Sequence, residues 1–189
     1  NSIKRLGYFE SVNYKLQDLN LSNSLDIIIE VKEMNTGSVS FGIGYSSLNE
    51  TNMTFGLSER NFLGEGKKLN LEANLSSLKT TYRLGMTEPY FLDRHLSLFG
   101  NIFDNESENS KGDVKSESSG VDFGVGFKSK DITHSLKYKF TTSETSTSTT
   151  STAASITGEE GVEIVTSSIT HSMSDDTRDS FFNPTSGYK

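Results

Sequence analysis

The chain has 189 residues, 32% of them hydrophobic, with a net charge of −7 and no cysteine. That charge gives a nucleic-acid partner no electrostatic support, and the missing thiols exclude a disulfide framework and a thiolate metal site. No stretch approaches the ~18 consecutive apolar residues of a membrane helix, but a membrane barrel, whose strands are only half apolar, stays open.

The opening "NSIKRLGYFE" lacks the basic start, apolar run and small-residue cleavage site of a signal peptide. With the closing "NPTSGYK", which stops where a turn would feed another strand, it leads us to expect a piece of a longer chain. Ile3 to Leu6 reads as the last turn of a helix stopped by Gly7. "FESVNYKLQ" predicts a strand, and "SLDIIIEVKE", Ser24 to Glu33, a second strand buried on at least one face. Residues 1–35 are therefore expected to be a small α+β remnant, too poor in apolar residues to stand alone, joined to the rest through Met34 to Ser38.

From Ser38 onward apolar and polar residues alternate with the period of a strand. Val39, Phe41, Ile43 and Tyr45 oppose only serine and glycine, including Gly42 and Gly44. Met53, Phe55 and Leu57 form the next apolar face, then Leu69, Leu71, Ala73 and Leu75, then Tyr82, Leu84 and Met86. The pattern returns in Val121, Phe123, Val125 and Phe127, and in Leu136, Tyr138 and Phe140. Two further strands fit less well. "HLSLFGNIF" puts Phe99 and Phe103 out of phase with Leu96, Leu98 and Ile102, and "EIVTSSITHSM" has only Val165, Ile169 and Met173 in phase.

The connections alternate in length. Asp104 to Ser118 and Thr141 to Glu160 read as long polar loops, the second opening with a Ser/Thr-rich run to Thr157 expected to be disordered and solvated. "SKD" at Ser129 to Asp131 and "RNFLGEG" are short. Long connections on one side and short turns on the other fit an outer-membrane barrel; a soluble up-and-down barrel or sandwich with uneven loops is the alternative. An apolar outer face against a small, polar inner face favours lipid outside and a wet lumen inside, with the glycines permitting curvature or loose packing at a seam.

Three turn-proximal stretches are compositionally unusual. "LSERNFLGEGKKL" carries Glu59, Arg60, Asn61, Phe62 and Gly64. "TEPYFLDRHL" carries Glu88, Pro89, Tyr90, Phe91 and Asp93, the two aromatic residues being candidates for an interfacial girdle. "DDTRDSFFNPTSGY" carries Asp176, Arg178, Pro184, Gly187 and Tyr188. The charged members read alternatively as plain interfacial turn charges. With "RLGYFESV" upstream, these stretches closely resemble the BamA family, the POTRA-containing bacterial outer-membrane protein assembly factors.

The resemblance covers essentially the whole chain. It implies an all-β fold, the N-terminal half of an antiparallel transmembrane β-barrel with about eight strands here, at 36–189. The C-terminal end of a periplasmic POTRA domain would precede it at 1–35. The Ser/Thr-rich run is no family feature, and the family barrel has roughly sixteen strands, within the range of such barrels, so its second half would be absent. The implied function is that of an insertase in the bacterial outer membrane, with the N-terminal segment in the periplasm. Its partners would be the lipid bilayer, unfolded outer-membrane protein clients and accessory lipoproteins of an assembly complex. Val39, Phe41, Gly42, Ile43, Gly44 and Tyr45 would form a weak lateral edge open to β-augmentation.

Catalytic chemistry finds no foothold. His95, His134 and His171 are far apart in sequence with no His-x-x-x-His spacing or carboxylate cluster, and no G-x-S-x-G elbow or dinucleotide fingerprint occurs. No catalytic, cofactor or metal site is expected, and no enzyme. The rivals to an insertase are a POTRA-containing secretion or translocation barrel, a passive pore, and a soluble barrel binding an apolar ligand.

Overall fold

The computed structural model describes residues 3, 6–19, 24–47, 50–109, 114–147, 161, 163–178 and 185–188. Two strands form an N-terminal hairpin, β1 (Phe9–Leu19) and β2 (Ser24–Glu33). The turn before it is stopped by Gly7 at φ +71°, with the Leu6 amide bonded to the Ile3 carbonyl at 3.2 Å. Eight more strands make one antiparallel meander: β3 (Gly37–Ser46), β4 (Glu50–Phe62), β5 (Lys67–Ser76), β6 (Lys79–Glu88), β7 (Leu96–Glu108), β8 (Val114–Ser129), β9 (Ile132–Thr147) and β10 (Glu163–Asp175). The sheet runs in sequence order, with β3 and β10 as its edges among the described residues.

The register carries the apolar alternation from strand to strand. Val39, Leu57, Leu71, Leu84, Ile102, Val121 and Phe140 stand directly opposite one another in turn, one row across seven strands. Yet this row and its neighbours are open: Val39 and Phe41 are each 68% exposed and Ile43 65%. The buried side chains among the described residues, Phe103 and Asp122, lie on the opposite, polar face. A soluble sandwich needs the reverse arrangement. Lipid outside and water inside need this one.

The apolar window also drifts along the register. Gly124, at the middle of the β8 window, is level with Phe99, Thr87 and Lys68, and so with the β4 bulge after Glu59. Arg60 in that bulge bonds Thr36, six residues before Gly42, the middle of the β3 window. Six residues of drift over five strand steps, at ~3.3 Å and ~4.8 Å each, is a tilt of about 40°, the inclination of barrel strands.

One expectation needs correction. Asp104 to Ser118 and Thr141 to Glu160 are not simply long loops: β7 runs to Glu108, β8 begins at Val114 and β9 runs to Thr147. Glu106, Glu117 and Glu144 are in ladder register there. Threonine suits strands, and strands with two wet faces need no apolar residue to form. Lys115 clasps these arms, 2.8 Å from Glu106 and 2.6 Å from Glu117. Residues 148–160, which include the rest of the Ser/Thr-rich run, lie outside the described residues.

The phase of Phe99 and Phe103, opposite to that of Leu96, Leu98 and Ile102, has a structural cause. Phe99 and Phe103 project to the inner face opposite Gly124 and Gly120. A Cβ on Gly124 would lie 2.5 Å from the Phe99 ring, and one on Gly120 2.9 Å from the Phe103 ring. The bare positions of β8 are therefore seats for the rings of β7. Arg83 and Lys139 flank the Phe103 ring, at 5.9 Å and 4.8 Å from its centroid, and Asn101 donates to Asp122 at 2.6 Å beside them.

Candidate functional site

The turns β4–β5, β6–β7 and β8–β9, the junction from β2 into β3 and the segment after β10 all lie at one end of the sheet, here the turn end. Glu59 is the hub of the first motif. Its carboxylate accepts the Thr36 hydroxyl from the β2–β3 junction and the Asn61 amide at 2.8 Å. Asn61 in turn accepts the Gly66 amide at 2.7 Å, and the Arg60 amide donates to the Thr36 carbonyl at 3.4 Å. Leu63 and Gly64 both have positive φ, with the Glu65 amide reaching the Phe62 carbonyl at 3.3 Å. That is a primed turn, matched to strand twist. Its close fit extends to the N-terminal hairpin, since the Tyr8 hydroxyl donates to the Gly66 carbonyl at 3.4 Å.

Lys67 joins the first motif to the second. Its ammonium pairs with Glu65 and stands 3.7 Å from Glu88. Pro89, with no N–H, ends β6, and Glu88 accepts the Tyr90 amide at 3.3 Å. Leu92 and Asp93 are left-handed at φ +56°, holding Leu92 71% exposed beside Phe91. Tyr90 meets the His95 ring edge-on at 5.9 Å.

The third motif is organised by a two-residue lock. The Thr177 amide donates to the Tyr188 carbonyl at 2.9 Å, and the Tyr188 amide to the Thr177 hydroxyl at 3.0 Å. Arg178 forks onto Asp176 at 2.8 and 2.6 Å, which raises its already high pKa. The Tyr188 hydroxyl reaches Asp175 at 3.3 Å. Gly187 sits at φ +92°, where a Cβ would lie 2.6 Å from the Thr177 carbonyl carbon. Replacing Gly187 with alanine should therefore cost about 1–2 kcal/mol locally. Faster hydrogen exchange at the Thr177 and Tyr188 amides checks this. Pro184 lies outside the described residues.

The predicted edge residues are all on β3, which pairs only with β4 among the described residues. On the inner face, Thr54 and Asn52 of β4 lean over the glycines. A Cβ would meet Thr54 Oγ1 at 2.7 Å from Gly42 and Asn52 Oδ1 at 2.5 Å from Gly44.

Residues 61–189 match the Omp85 superfamily domain. The chain belongs to the Omp85 superfamily. Its eight-stranded antiparallel sheet matches a fragment of an outer-membrane barrel, and the outer membrane is its location. It is similar to the outer membrane protein assembly factor BamA of Nitratidesulfovibrio vulgaris, 32% identical over 119 residues, which cover 59% of this chain and 15% of that protein. The sorting and assembly machinery component 50 homolog of Bos taurus is 27% identical over 191 residues, 97% of this chain and 39% of that protein. The crystal structure of BamA from Haemophilus ducreyi lacking POTRA domains 1–3 superposes with a TM-score of 0.76 at 25% identity, covering 98% of this chain and 38% of the other. The chain thus spans well under half the length of these relatives.

Within this Omp85 sheet, the sequence reading missed three things. Thr36 and Tyr8 buttress the first motif from outside it. The inner-face rings of Phe99 and Phe103 fit the glycines of the neighbouring strand. His134 and His171, far apart in sequence, are neighbours in space. The last two could be found only with the strand register known.

Proposed function

We propose that the protein of which this sheet is part is an insertase for β-barrel outer-membrane proteins, and that clients add to the free edge of β3. The carrying observation is that β3 begins the barrel, has one partner strand among the described residues and offers unpaired N–H and C=O groups along the other side. An extended client strand can complete that ladder by β-augmentation. Gly42 and Gly44 give the edge less packing to lose when it unpairs. Strand pairing and burial in lipid supply the free energy, so no nucleotide or catalytic residue is needed. Relatives named as assembly factors support the reading.

The turn end then faces the periplasm. The hairpin β1–β2, whose Tyr14, Leu16, Ile27, Ile29 and Val31 are exposed, is the end of a POTRA domain whose remaining elements cover that face. A hairpin alone is marginal in water. Accessory lipoproteins would meet the protein on this side. The far ends of β7, β8 and β9, at Glu108, Val114 and Thr147, then point to the exterior.

A disulfide tying β3 to the closing strand of the full-length barrel tests the reading. Assembly of a model outer-membrane protein should stop with the seam locked and resume on reduction, the barrel remaining folded throughout. Normal assembly through a verified lock would remove the lateral edge from the mechanism.

A further inference from the structure

His134 on β9 and His171 on β10 stand 37 residues apart in sequence and meet across the strand pair, His134 Nδ1 3.2 Å from His171 Nε2. Their rings are parallel to within 6° at 5.5 Å, and Phe127 of β8 stacks on His134 at 5.1 Å. The register puts His134 opposite Met173 and His171 opposite Leu136, so both rings lie on the outer face. His134 is one alternation beyond the Leu136–Phe140 window toward the turn end, at the margin of the apolar band.

We propose that this pair is a binding site for a borderline divalent transition-metal ion such as zinc, nickel or copper. Neutral imidazole suits these ions, whereas magnesium and calcium prefer oxygen. Two nitrogens about 2.0–2.1 Å from a tetrahedral ion are roughly 3.3 Å apart, close to the separation already present. The rings now meet head-on, as in an N–H···N bond, so each turns by roughly 40° to aim its lone pair at the ion. In the ion-free pair one facing nitrogen carries the shared proton. On binding, that proton moves to the far nitrogen of its own ring, Nε2 of His134 or Nδ1 of His171, leaving both facing lone pairs for the ion. Among the described residues no set of three His, Asp or Glu side chains gathers around a point. Water therefore fills the remaining positions, and the site is open and exchangeable rather than a closed structural one. Its physical effect is a clamp on β9 and β10, a side-chain tie across the pair in addition to the ladder that sets their register.

The test uses the full-length protein, stripped with chelator in detergent and titrated with Cu²⁺ under electron paramagnetic resonance. A bound ion showing hyperfine coupling to two imidazole nitrogens, displaced by Zn²⁺ but not by Mg²⁺, is expected. His134→Gln and His171→Gln should each reduce that signature to one nitrogen and weaken binding at least about tenfold, since even an outer-shell partner is worth roughly 10–100-fold. His95→Gln should leave both unchanged. The proposal is overturned if the unaltered protein shows no two-nitrogen spectrum, or if both single variants bind copper as the unaltered protein does.

Discussion

Ile43→Arg in the full-length barrel should destabilise it by about 2–4 kcal/mol, the cost of a guanidinium on the lipid face near the midplane. Position 43 is 65% exposed and next to the middle of the β3 apolar window. In a water-soluble sheet so open a site would accept arginine with little change, typically within ±0.5 kcal/mol, so the measured penalty separates the two solvents. Denaturant unfolding in lipid vesicles gives the number. Spin labels provide a second reading: positions 41, 43 and 45 should report hydrocarbon, and 42 and 44 an aqueous lumen. The opposite distribution would turn the sheet inside out.

Gly124→Ala should cost about 1–3 kcal/mol, as overpacking of a fitted site does. The new methyl would lie 2.5 Å from the Phe99 ring and 3.0 Å from the Lys137 Cα, and would press on the Leu136 carbonyl oxygen as well. The ring can turn aside, but the strand backbone cannot. Gly44→Ala is the matched control, because the atoms nearest its methyl would all belong to the Asn52 carboxamide, the free end of a side chain that can swing. Trimming Phe99 to leucine in the Gly124→Ala background should recover part of the loss, the backbone share remaining. Equal losses at Gly44 and Gly124 would dismiss the idea that β8 is notched for the rings of β7.

The strands of the apolar band were legible because lipid on one side and water on the other impose a contrast that alternation records. Val39 to Tyr45 and Val121 to Phe127 show it without ambiguity. Where both faces are wet, as in Val114–Gly120 and Thr141–Thr147, contrast vanishes and strand looks like loop. Phe99 and Phe103 broke the alternation for a reason written in another strand, the glycines at 120 and 124. Of the candidate site, the turn motifs were visible as local composition. Their buttresses Thr36 and Tyr8 were not, since each meets its partner through tertiary contact. The His134–His171 meeting depends on a register set across a connection that local sequence does not fix.

The uneven wall height has a consequence for traffic. Above the apolar window β3 continues only to Ser46, whereas β8 rises through Val114–Gly120, seven residues or about 23 Å at strand rise. A polar loop crossing beside β3 regains bulk water almost as soon as it leaves hydrocarbon. Beside β8 it would first have to pass a parapet of serine, lysine and glutamate able to detain it by hydrogen bonds. For the proposed insertase, the shortest route through the membrane layer would lie along the edge that also has room for another strand.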